Sequence, residues 1–95
     1  MADREVQCIK KQPRNNPYEG IERLEGVAHP SGSGWWGTRQ QVADAIKNKT
    51  DHFFTLIGGK RTYLHWRRGA HGDYVQTYAN KLWNDNLLSL DECPA

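Results

Sequence analysis

The chain has 95 residues, 37% hydrophobic and 25% charged, with a formal net charge of +2, and that leaves room for one core, not two. No apolar run is long enough for a bilayer-spanning helix, and the charge is too small to argue nucleic-acid binding by itself. Ten residues are Trp, Tyr or Phe; each ring buries about 150–250 Å², so the aromatics are read as core before they are read as site.

Taken in order, Arg4 to Lys11 places Val6, Cys8 and Ile9 among charged residues and reads as a first strand whose alternation slips once. Gln12-Pro13-Arg14-Asn15-Asn16-Pro17 ends it, because proline has no N–H to give a sheet ladder. Ile21 to Ala28 is a second strand. Residues 12–20 and 29–37 are expected to be flexible loops, the second carrying His29-Pro30-Ser31-Gly32-Ser33-Gly34 into Trp35-Trp36. One tryptophan of that pair should be buried and the other exposed.

Thr38 is an N-cap, and Gln41 three residues on completes a capping box. Val42, Ala43, Ala45 and Ile46 fall on one side of the helix that follows, which should lie on a sheet. Lys47 and Lys49 suit the negative end of its dipole, and Asn48 or Thr50 closes it. His52 to Ile57 is a strand; Gly58-Gly59 supplies a two-residue hairpin turn that sets Ile57 opposite Lys60, Thr55 opposite Thr62 and Phe53 opposite Leu64. That face, with Trp66, is expected to be core. The other face pairs Leu56 with Arg61, Phe54 with Tyr63 and His52 with His65. Arg67 to Asp73 holds a second turn and Tyr74 to Tyr78 a last strand. Ala79 to Trp83 suggests a helical turn, and Leu87, Leu88 and Leu90 should pack the tail onto the sheet. The result is an α+β fold: a small single domain, a mostly antiparallel sheet with one helix packed on it, in ββαβββ order.

Cys8 and Cys93 stand near opposite ends and match no CxxC or zinc-finger spacing. The chain opens Met1-Ala2-Asp3-Arg4 with no apolar run of signal-peptide length, which predicts a cytoplasmic protein and hence free thiols.

Trp36, Ala45-Ile46, Phe53-Phe54 with the glycine turn, Gly72-Asp73-Tyr74-Val75-Gln76-Thr77 and the tail Asp85-Asn86-Leu87-Leu88-Ser89-Leu90-Asp91-Glu92-Cys93 together resemble the bacterial family catalogued as domain of unknown function 3892. The resemblance runs from about Ile21 to Cys93 and departs from the family at Asp91, where a proline is expected, and at the inserted Lys81-Leu82-Trp83. It implies a small bacterial domain and no activity, cofactor or site residues.

The charge is uneven. Residues 38–72 hold seven basic and two acidic side chains, and residues 73–95 one basic and four acidic. Lys60, Arg61, Tyr63, His65, Trp66, Arg67 and Arg68 alternate cations with rings, as surfaces for single-stranded nucleic acid do; the plainer reading is a solvated, packed strand. Strand periodicity puts Arg61, Tyr63, His65 and Arg67 together. Trp36, Lys60, Arg61, Tyr63, Arg67 and Arg68 are therefore the candidate binding residues. His52 and His65 are the candidate metal ligands, against the commoner reading of an ordinary cross-strand pair, since His29, His71, Cys8 and Cys93 share no ligand spacing with them. A nucleophilic Cys8 or Cys93 with a histidine and Asp73 or Asp85 lacks any motif to support it, and Gly32, Gly34 and Gly37 form no phosphate loop. No catalytic residue and no cofactor is assigned. The leading expectation is a non-enzymatic binding or accessory module for a protein or peptide, a monomer or weak homodimer without membrane contact. Single-stranded nucleic acid is the runner-up partner, and an enzyme comes third.

Overall fold

The interior strand β1 (Ala2–Lys11) owes its broken alternation to a bulge. It pairs antiparallel with β2 (Ile21–His29), and the register jumps from Val6↔Gly26 to Cys8↔Glu25, leaving Gln7 as the extra residue. Val6 and Ile9, three apart, are therefore both buried. The structure is a computed structural model and describes residues 2–12, 18, 20–69, 72–79, 82–84 and 86–93. Most of the proline-rich turn read over residues 12–17 lies outside them, as do His71 and Asp85.

The second expected loop is only part loop, because β3 (Gly34–Thr38) pairs with β2 through Gly26↔Trp35 and Glu25↔Trp36. The glycines that suggested a connector stand in and beside an edge strand. Thr38 then caps α1 (Arg39–Lys47): its hydroxyl accepts from the Gln41 N–H and the Gln41 side chain accepts from the Thr38 N–H. Asn48 is the C-cap. Lys49 follows with φ 56, and Lys49 N–H to Ile46 O and Thr50 N–H to Ala45 O close a Schellman ending that usually takes glycine.

The hairpin β4 (Asp51–Ile57) and β5 (Lys60–Gly69) has the expected turn and register over Phe54↔Tyr63, Thr55↔Thr62, Leu56↔Arg61 and Ile57↔Lys60. There the ladder ends. From Leu64 onward β5 pairs with β6 (Gly72–Ala79), while Asp51 to Phe54 of β4 lie parallel to Ala2 to Glu5 of β1. His52 and His65 are thus not ladder partners, which corrects the cross-strand pair. β6 is not the last strand. Leu82 to Asn84 form β7, paired Ala79↔Leu82 and Tyr78↔Trp83, where the sequence suggested a helical turn. The sheet has seven strands in the order β3-β2-β1-β4-β5-β6-β7, mostly antiparallel, and not the five of ββαβββ. Short edge strands β3 and β7 are the elements with the weakest sequence signal.

The helix packs against β2 to β6 on one face. Val42 and Ala43 join Val6, Ile9, Leu24, Phe53, Leu64, Val75 and Leu87 in the core, and Trp35 adds an edge contact to Phe53 at 5.2 Å and an indole N–H bond to Glu5 O. Trp36 is 58% exposed, so the pair splits as expected. Each large apolar side chain buried here is worth about 1.5–3 kcal/mol. A 3-10 turn, Leu87–Ser89, brings the leucine tail down, and Asp91 to Cys93 continue along β1: Ile9 N–H bonds Asp91 O, and Cys93 N–H bonds Ile9 O. Cys93 is disulfide-bonded to Cys8, with the Cα atoms 4.9 Å apart. That overturns the free-thiol expectation, which rested on a reducing compartment and on spacing along the chain and could not see the two ends meet.

Candidate functional site

On β5 the odd-numbered residues point away from the helix and the even-numbered ones toward it. Lys47 of α1 places its ammonium 4.5 Å from the Trp66 ring centre, marking the helix side. Tyr63, His65 and Arg67 accordingly lie on the helix-free face with Arg61. Among the described residues, two exposed aromatic groups occupy it, beside the buried Tyr74, which stacks on Tyr18 at 6.0 Å. In the first, Tyr63 stands 5.6 Å from Phe54 and 6.2 Å from His52, and the Arg61 guanidinium lies 4.2 Å from the Phe54 ring. Phe54 is fully buried beneath these neighbours and the His29 ring, so it supports the surface instead of forming it. In the second, His65 lies edge to face with Tyr78 and Trp83 at 5.3 and 6.2 Å, those two rings are tilted at 4.8 Å, and the Arg67 guanidinium sits 4.4 Å from Trp83 while donating to Gln76 Oε1 at 3.0 Å.

Charge on this face is partly compensated. Asp3 reaches Arg61 Nη1 at 3.4 Å and His52 Nδ1 at 3.5 Å, and Glu5 meets His29 Nε2 at 2.9 Å. Cations stacked on rings keep N–H groups free at their edges, which is how arginine contributes to base and phosphate contacts.

Of the candidate binding residues, then, Arg61, Tyr63 and Arg67 share one surface. Lys60 and Arg68 point to the other face by strand parity, and Arg68 pairs with Asp73 across β5 and β6. Trp36 stands on β3, separated from β5 by β2, β1 and β4, with the Arg23 guanidinium 4.0 Å from its ring. Tyr78 and Trp83 belong to the surface and were missed. Their signal was the alternation Tyr78, then Leu82-Trp83, which a helical reading of Ala79 to Trp83 concealed.

Among the described residues, the candidate metal ligands are not brought together with a third. His52 packs on Tyr63 and faces Asp3, and His65 packs on Tyr78 and Trp83. Among the described residues, one group of three potential ligands converges, Cys8, Glu25 and Cys93 within 4.8 Å, and its two sulfurs are bonded to each other. The same bond removes both cysteines as nucleophiles. Asp73, one of the two aspartates weighed for that triad, is instead held by Lys47 and Gln40 of the helix, and the other, Asp85, lies outside the described residues. The Lys47 ammonium, its leading influence, lowers the Asp73 carboxyl below the ordinary 3.8 against a smaller opposing effect of burial.

Beside this face the sheet opens. Where β5 leaves β4, a cleft of about 530 Å³ is lined by Ile46, Phe53 and Leu64, with Lys49, His52 and His65 around it.

Among the described residues, no helix is long and apolar enough to cross a membrane. Neither the curated proteins nor the solved structures contain a match to the chain. A family model described as "Protein of unknown function (DUF3892)" matches residues 5–91. With that span of the fold accounted for by one family, the chain belongs to the family of unknown function DUF3892.

Proposed function

We propose that the protein is a non-enzymatic binding module and that its helix-free sheet face, with Arg61, Tyr63, His65, Arg67 and Trp83, takes a single-stranded nucleic acid. The observation that supports this reading is the exposure of that face: α1 packs on the opposite side, and Tyr63 and Trp83 remain 37% and 39% exposed. Exposed rings alternating with guanidinium groups suit bases that stack and phosphates that pair. A protein or peptide partner is the second reading, favoured by Trp36, which is exposed on an edge strand and stacked on Arg23.

The test is an amide chemical-shift titration with a mixed-sequence single-stranded oligonucleotide at low and physiological salt. Shifts at residues 61–67 and at Tyr78 and Trp83, fading with salt, are expected. Tyr63→Ala and Arg67→Ala should each weaken the complex by about 1–3 kcal/mol. Silence at both salts sinks the reading and turns the search to Trp36. A cytoplasmic location belongs to the same proposal and meets a condition in the disulfide, since cytosolic thiols are normally kept reduced. Alkylation in intact cells decides it: modified Cys8 and Cys93 place the chain in a reducing compartment, whereas unmodified, bonded cysteines place it in an oxidising one.

A further inference from the structure

The β4 strand forks from a neighbour on each side, and the two forks are treated differently. Past Glu5, β1 parts from β4, and the C-terminal tail fills the gap: Asp91 and Cys93 take up the Ile9 backbone, and Asn86 donates to Thr62 Oγ1 at 3.3 Å. Past Phe54↔Tyr63, β5 parts from the other edge of β4, and that gap is the cleft of about 530 Å³. Its volume lies within the range of about 300–1,000 Å³ usual for small-molecule sites.

We propose that this cleft binds a small organic carboxylate with an apolar body. Ile46 from the helix, Phe53 from β4 and Leu64 from β5 make its apolar walls. The charges around it do not cancel. Asp51 is taken by Arg4 at 3.3 Å and His52 faces Asp3, while Lys49 forms no ion pair among the described residues. That leaves Lys49, which lines the cleft, as its uncompensated cation, with His65 beside it. Lys49 also occupies the one left-handed position of a non-glycine residue among the described residues, φ 56, at the helix ending where glycine is favoured. A cation held at conformational cost beside a cleft is the pattern of a residue kept for its side chain and not for the fold.

The cleft shares Tyr63 and His65 with the nucleic-acid face, and the experiment separates the two readings through residues they do not share. Labelled protein is titrated with phenylacetate and with its neutral analogue phenylacetamide, following the amides of Ile46, Phe53 and Leu64. Saturable shifts there, with the acid bound at least about tenfold more tightly than the amide, are expected. Lys49→Gly should raise the melting temperature by a few degrees and abolish the preference for the acid, and Lys49→Arg should keep it. Equal binding of acid and amide, no saturable shift, or an unchanged preference in Lys49→Gly overturns the proposal. The oligonucleotide response at Arg67 and Trp83 is read separately, so failure of either leaves the other standing.

Discussion

Gly26 shows how far one residue can be dictated by a neighbour distant in sequence. A Cβ there would stand 1.8 Å from the Glu5 carbonyl oxygen, because the bulge at Gln7 draws β1 against β2. Gly26→Ala must push the strands apart and should cost about 2–4 kcal/mol in a denaturant titration. Gly34→Ala, whose Cβ would meet nothing nearer than 4.0 Å, is the control and should be nearly neutral. Asp73 makes a pH prediction. Its carboxyl binds a proton less readily folded than unfolded, because Lys47 and Gln40 hold the carboxylate. The stability it contributes is therefore complete above the ordinary pKa of 3.8 and is lost as pH falls through the lower folded value. The difference in melting temperature between the native chain and Asp73→Asn should shrink as pH is lowered from 6 to about 3.

At the scale of elements, the helix was legible because its signals are local. Thr38, Gln41 and the Val42-Ala43 stripe lie within one turn or two, and the cap is the one expected. Thr38→Ala should lower stability by about 1 kcal/mol, measured by urea denaturation, since it leaves the Gln41 N–H without its acceptor. The β4–β5 turn was legible for the same reason: two glycines at φ 59 and 78 sit between alternating strands. Edge strands β3 and β7 were not. Five residues with two glycines, and three residues beside a turn, carry too little periodicity to tell a strand from a loop, and pairing with β2 and β6 supplies what propensity lacks. Half of the candidate surface followed from parity along β5. The other half, Tyr78 and Trp83, depended on recognising β7.

At the scale of the whole molecule, the tail and the disulfide close the sheet where β1 and β4 part. The bond spans a sequence separation of 85, and long loops constrain the unfolded chain most. Reduction with a water-soluble phosphine should therefore cost about 2–4 kcal/mol, read as a lowered denaturant midpoint. A Cys8→Ala, Cys93→Ala chain should match the reduced protein. A midpoint unmoved by reduction would show that the backbone bonds of Ile9 to Asp91 and Cys93 hold the tail without the bond.

Legible in the sequence were the α+β class, the capped helix, the β4–β5 turn with its register from Phe54↔Tyr63 to Ile57↔Lys60 though not on to Phe53 and Leu64, and which residues of β5 share a face. All follow from interactions within a few residues or from a period of two. The tertiary structure alone decided the parallel pairing of β1 with β4, the meeting of Cys8 with Cys93, and the fork that opens a cleft beside Lys49. Each of these depends on where strands stop pairing, which is set by the twist of neighbouring strands and the packing of the helix across them, and no local pattern encodes it.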